Sequence, residues 1–182
     1  MRIASQVSGL SNSVVVTMDV DYRMLELIWN GVLIGIGATI VMDIWAIVLA
    51  QFPGQSMPNW GPVGRWFCHL PRGTIFHPDI GASELYASES AVGWIGHYAV
   101  GIVYGIVFLL FMGHNWLAHP TFLAAWVWGI ITVGAGWFLL QPGLGMGWAA
   151  SRTANPTKVR VMNLVAHSWF AVGMYGTALL LR

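Results

Sequence analysis

Apolar residues run in four long blocks, separated by stretches that are polar or rich in proline. The blocks cover roughly Leu25–Gln51, Ala91–Met112, Thr121–Leu140 and Val161–Leu181. Each is close to the ~20 residues that an α-helix needs to cross the hydrocarbon layer of a bilayer. The first is interrupted only by Asp43 in its inner part. The second carries His97 as its only strongly polar group, the third holds no ionisable residue, and the fourth contains His167. The pattern predicts an all-α integral membrane protein, a four-helix bundle with a long interfacial loop between the first and second spans. Residues 24–182 read as one transmembrane domain and residues 1–23 as a flexible polar leader. Val14-Val15-Val16 is too short for the core of a signal peptide, so the first span is expected to act as its own insertion signal.

The connections are unequal. Residues 53–90 hold Pro53, Pro58, Pro62, Pro71 and Pro78, a density that forbids a long helix. Trp60, Trp66, Phe67 and Phe76 in the same stretch favour a position against the membrane surface, and Asn59 is placed to cap a short interfacial helix through Leu70. The third connection reads Gln141-Pro142-Gly143-Leu144-Gly145-Met146-Gly147 before turning basic. Four spans put the first and third loops on one face. These loops hold Arg65, Arg72, Arg152, Lys158 and Arg160, against Arg2, Arg23 and Arg182 on the other. The positive-inside rule then places loops 53–90 and 141–160 in the cytoplasm, for a multi-pass protein of the cell's inner membrane.

Helical spacing sorts the polar and small residues onto faces. Gly31, Gly35, Thr39 and Asp43 recur every four residues on the first span. On the second the series is Glu89, Gly93, His97, Gly101 and Gly105. Small residues at this spacing let helix backbones approach closely, so Gly31, Gly35, Gly93, Gly101 and Gly105 are expected to pack helices. Ala125, Gly129, Thr132 and Gly136 repeat the pattern on the third span, and Asn163, His167, Ala171 and Tyr175 line up on the fourth. Counted from the loop ends, Asp43, His97 and His167 lie roughly 9–14 Å below the same face at 1.5 Å per residue. Gln141 closes the third span on that side. The expectation is a polar layer of Asp43, His97, His167, Gln141 and Asn163 inside the bundle.

Composition narrows the options. Charged residues make up 8% of the 182 residues and apolar residues 57%. A soluble domain this apolar lacks the polar surface to stay dispersed, whereas lipid makes such a surface acceptable. A net charge of +1 gives no field to attract nucleic acid. Many of the 11 Trp sit near span ends, as in aromatic belts. Cys68 is the only cysteine, which excludes an intrachain disulfide and a cysteine-rich metal site.

An ionisable group at bilayer depth costs several kcal/mol and commonly marks function. Three chemistries suit the layer. A carboxylate–imidazole chain can relay protons or couple them to a small solute. Two histidines and a carboxylate (His97, His167, Asp43) can ligate a transition metal. Two histidines on different helices can clamp a haem iron. Against these stands the ordinary alternative that polar side chains only hydrogen-bond neighbouring helices, worth about 0.6 kcal/mol each. Gly143, Gly145 and Gly147 follow a span rather than a strand and precede no Gly-Lys-Ser/Thr, so they are no phosphate loop. The five basic residues can meet lipid phosphate, but ordinary topology signals are the better explanation for them. No Ser-His-Asp arrangement with a nucleophile elbow and no soluble catalytic domain is present, which points away from an enzyme. The sequence names no cofactor. Its partners are the lipid bilayer and, through the glycine stripes, a second copy of the chain or a larger membrane complex in which it serves as an accessory or scaffold subunit.

Several strings carry a family resemblance. They are Gly37–Trp45 (GATIVMDIW), Gly64-Arg65-Trp66 with Leu70-Pro71-Arg72-Gly73, Gly93–Tyr98 (GWIGHY), and Gln141–Arg152 (QPGLGMGWAASR) followed by Asn155-Pro156. Together, over about residues 24–182, the chain resembles a bacterial membrane-protein family catalogued as domain of unknown function 2938. The resemblance implies a four-span inner-membrane protein and supplies no activity, substrate or cofactor.

Overall fold

The structure is a computed structural model that describes the backbone of residues 2–182 and the side chains of residues 21–182. Most of the leader expected over residues 1–23 therefore lies outside the described side chains. Among the described residues the chain is helical, without strands. Helix α1 (Arg2–Leu49) leads into the first loop, which contains α2 (Trp60–His69). Helix α3 (Glu89–Ala118) returns through the bundle. Helix α4 (Phe122–Ala135) passes through a π-helical turn (Gly136–Leu140) into the single turn α5 (Gln141–Gly143). Helix α6 (Pro156–Leu180) closes the chain.

Among the described residues three helical segments, not four, are long and apolar enough to cross a membrane: Asp21–Leu49, Glu89–Ala118 and Phe122–Gly143. Helix α6 has the length, but Lys158, Arg160, Asn163 and His167 dilute its apolar character. The side-chain distribution suits lipid contact. Ile34, Phe108, Leu109 and Met174 are buried, yet Ile95, Phe111, Leu123 and Ile131 face outward with at least 61% of their surface exposed. A water-soluble bundle would expose polar groups at such positions.

Helix α1 packs against α3 on one side and α6 on the other, and α4 packs against α6. The α1–α3 seam is made of glycine. A Cβ on Gly35 would lie 2.6 Å from the Ile102 Cα, and one on Gly31 would lie 2.6 Å from the Ile106 Cα. From the other helix, a Cβ on Gly105 would lie 2.6 Å from the Gly35 nitrogen, and one on Gly101 would meet the Thr39 hydroxyl. On the other side of α1, Gly173 of α6 sits against the Ala38 backbone, where a Cβ would lie 2.6 Å from its Cα. Such backbone-to-backbone crossings replace the hydrophobic effect as the adhesive between membrane helices.

Helix α2 begins where its sequence signal placed it. The Asn59 side chain accepts the Gly61 N–H at 3.0 Å, and the helix ends at His69. Loops one and three lie together at one end of the bundle. The His77 N–H donates to the Gly143 carbonyl (3.2 Å), and the Ile80 N–H to the Leu144 carbonyl (3.3 Å). Gly145, at φ +86°, lets the third loop approach Pro78. At the opposite end His114 meets Glu26 at 3.3 Å, and Arg182 donates to the Ala118 carbonyl at 2.7 Å.

Candidate functional site

Asp43 lies two helical turns beyond Gly35 on the same face of α1, so the glycine seam that draws α1 to α3 delivers its carboxylate to α3. His97 Nε2–H donates to Asp43 Oδ1 at 3.0 Å, and the Tyr98 hydroxyl donates to Oδ2 at 2.9 Å. Both carboxylate oxygens are thereby engaged. The His97 and Asp43 side chains retain only 8% and 15% of their surface. The indole of Trp60, the first residue of α2, stacks on the His97 ring with centroids 4.0 Å apart, and Trp94 borders it edge-on at 6.0 Å. Trp60 reaches this position because α2 lies directly on α3. The Trp60 carbonyl carbon would sit 2.9 Å from a Cβ on Gly93, so only glycine there permits the contact. Gly93 thus packs the surface helix α2, whereas Gly31, Gly35, Gly101 and Gly105 pack α1 against α3.

The other members of the expected layer bond to α4 or to one another rather than to Asp43. His167 faces α4: its Nδ1 lies 3.1 Å from the Gly129 carbonyl and 3.0 Å from the Thr132 Oγ1. The Thr132 hydroxyl itself donates to that carbonyl at 2.7 Å. Both neighbours of Nδ1 therefore act as acceptors, which puts the ring proton on Nδ1 and leaves Nε2 with its lone pair in the neutral form. Asn163 Oδ1 accepts from Gln141 Nε2 (2.8 Å) and from Trp137 Nε1 (3.0 Å). The other amide atom of Gln141, Oε1, is buried without a partner. This pair stands at the π-helical turn, a local irregularity that recurs at functional positions.

Depth counted along ideal helices thus brings Asp43 and His97 together but does not gather the whole layer. The reason is rotational. The face of α6 bearing Gly173 turns to α1, while the face bearing His167 and Ala171 turns to Gly129 of α4. His97, His167 and Asp43 consequently share no ligand set, and among the described residues no three His, Cys, Asp or Glu side chains are grouped to hold a metal ion. A haem clamp fares no better, because His97 is bonded to Asp43 and covered by Trp60.

Two partners escaped sequence reasoning. Tyr98 stands next to His97 in the GWIGHY string, but neighbours on a helix point about 100° apart, so adjacency gave no hint that both reach one carboxylate. Thr132 was visible only as a small residue in a packing stripe.

A family model described as protein of unknown function (DUF2938) matches residues 32–181. The chain belongs to the DUF2938 family. No curated protein and no solved structure matches it. The matched region of this DUF2938 protein takes in Asp43, His97, Tyr98, Thr132, Gln141, Asn163 and His167.

The five basic residues of the loop face of this DUF2938 protein divide by partner. Arg65 is buried and grips both Glu89 oxygens, Nε to Oε2 and Nη2 to Oε1, each at 2.8 Å. Its Nη1 donates to the Ile80 and Gly81 carbonyls at 2.8 and 3.2 Å. The hydrogen bond to Glu89, ahead of its coulombic attraction, raises the Arg65 pKa above its already high ordinary value. Arg72 is exposed, pairs with Glu84 at 2.6 Å and lies over the Tyr86 ring. Arg160 Nε donates to the Ala149 carbonyl at 2.7 Å. That bond braces a strained stretch, since Ala149 and Ala150 both hold positive φ (47° and 59°). Two consecutive non-glycine residues in the left-handed region persist only where surrounding contacts enforce them. Arg152 and Lys158 are exposed and meet no carboxylate among the described residues.

Proposed function

We propose that this DUF2938 protein is a four-span inner-membrane protein whose Asp43–His97–Tyr98 cluster holds and exchanges a proton. The observation that carries the reading is the carboxylate within an apolar helix bonded to an imidazole at 3.0 Å and a phenol at 2.9 Å. Such a set keeps one proton shared among oxygens and nitrogen at low cost, because each protonation state finds a partner in place. His167 and Gln141 would extend the path on α6 and α5. The fourth crossing rests on the course of α6. It leaves the third loop beside Ala149 and ends where Arg182 reaches Ala118, at the far end of α3. Its 25 residues amount to about 37 Å of helix, enough for the hydrocarbon layer. The excess of Lys and Arg puts loops one and three in the cytoplasm.

The test is proton flux into proteoliposomes carrying an entrapped pH dye. Asp43→Asn keeps the shape of the side chain and removes the titratable carboxylate. His97→Gln keeps a donor and removes the imidazole. The expected outcome is loss of flux in both variants with unchanged melting temperature. Undiminished flux in both would reduce the cluster to an interhelical tether.

A further inference from the structure

Where loops one and three meet they form an open cleft of about 510 Å³. Its walls include Phe76, Pro78 and Trp148, and its polar lining is His77, Ser151 and Arg152. His77 is 7% exposed. Its Nδ1–H donates to the Gly143 carbonyl at 2.9 Å, while its Nε2 is buried without a partner. The Arg152 guanidinium and the Ser151 hydroxyl are engaged by no other protein group among the described residues. Asp79, two residues beyond His77, accepts the Gly81 N–H on Oδ1 at 2.7 Å, and Arg152 forms no ion pair with it or with any other carboxylate among the described residues. The backbone that presents Ser151 and Arg152 is the strained Ala149–Ala150 stretch, and the Arg152 N–H is fixed to the Met146 carbonyl at 2.9 Å. Gly147, at φ +74°, packs directly against Ser151 and Arg152.

From these observations we infer that the cleft between loops one and three binds the phosphate head of an anionic membrane lipid, with Arg152 and Ser151 on the phosphate and Phe76 and Trp148 beside the acyl chains. Charge and position select this occupant. The cleft presents an unpaired cation to an anion, and a guanidinium and a hydroxyl suit phosphate oxygens. Its aromatic wall continues toward the lipid-facing surface, because Trp148 rests on Phe138 of the π-helical turn with centroids 5.7 Å apart. The inference depends on the membrane placement of α1, α3 and α4 and is independent of proton exchange at Asp43.

Native mass spectrometry of the detergent-purified full chain tests it, with phosphatidylglycerol, phosphatidylcholine and inorganic phosphate as separate probes. Phosphatidylglycerol should be retained over phosphatidylcholine. Arg152→Gln should lower that retention at least about tenfold, the loss expected when charge-assisted hydrogen bonds are removed. Lys158→Gln deletes the same charge from an exposed site outside the cleft and should cost no more than the about fivefold that diffuse surface attraction supplies. Ser151→Ala should weaken retention to an intermediate degree. Equal losses for Arg152→Gln and Lys158→Gln, or no preference between the two lipids, would overturn the site. Retention of inorganic phosphate with the same dependence on Arg152 would overturn the lipid as its occupant.

Discussion

Adding one methyl group at Gly35 should separate α1 from α3 and loosen the Asp43 cluster with them. The Cβ of Gly35→Ala would lie 2.6 Å from the Ile102 Cα and 2.9 Å from the Gly101 carbonyl carbon. These obstacles are backbone and cannot rotate away. The helices must part by about 1 Å to restore ordinary contact, and a gap of that size forfeits a quarter to a half of the dispersion well at each neighbouring contact. Overpacking costs about 1–3 kcal/mol, and an unyielding backbone puts Gly35→Ala at the upper end. For a chain of this size about 3 kcal/mol corresponds to a fall of roughly 6–12 °C in melting temperature. A thiol-reactive fluorogenic dye can follow the melt through Cys68, the one cysteine, which is half-buried on α2. Gly176→Ala is the control, since a Cβ there meets nothing within 4 Å. It should melt like the parent protein or slightly higher, because alanine suits a helix interior better than glycine by about 0.5–1 kcal/mol. If the two variants melt within about 2 °C of each other, the seam is not held by glycine contact and the reasoning fails.

Two further outcomes are expected. Arg65→Gln and Glu89→Gln should each free the first loop and hasten tryptic cleavage after the exposed Arg72, and cleavage at the parental rate would show that the ion pair does not hold the loop. Placed in a Cys68→Ala background, Ser56→Cys should escape a membrane-impermeant maleimide in intact spheroplasts and react after lysis, whereas labelling before lysis would reverse the proposed orientation.

The long elements were legible because their signals are long. Blocks of about 20 apolar residues have few alternatives to helix, and the i, i+4 glycines that stand at the α1–α3 crossing are visible in the sequence. The Asn59 cap was legible for a local reason, a side chain serving an amide two residues on. What the sequence hid is rotation about each helix axis. Asp43 and His97 lie on glycine stripes that face each other, so their contact follows from packing. His167 lies on a helix with two small-residue faces, and nothing in the spacing says which of them meets α1. The partners of Arg65 were hidden by the proline-rich loop, where no periodicity links Arg65 to Ile80 or Gly81. Asn163 and His167 were read as members of an inner polar layer on a fourth apolar block, yet together with Lys158 and Arg160 they hold α6 below the apolar character of the other three.

The hydrogen bonds from His77 to Gly143 and from Ile80 to Leu144 join segments more than sixty residues apart. A chain growing from its N-terminus completes the first loop long before its acceptors exist, so the amides of His77 and Ile80 wait for two more helices to be laid down. The strained alanines and the Arg152 side chain follow later still. Biogenesis of this end of the molecule is therefore a late event, and a chain halted before Gly143 would carry its first two apolar helices already paired at the glycine seam, beneath a loop that has not yet found its shape.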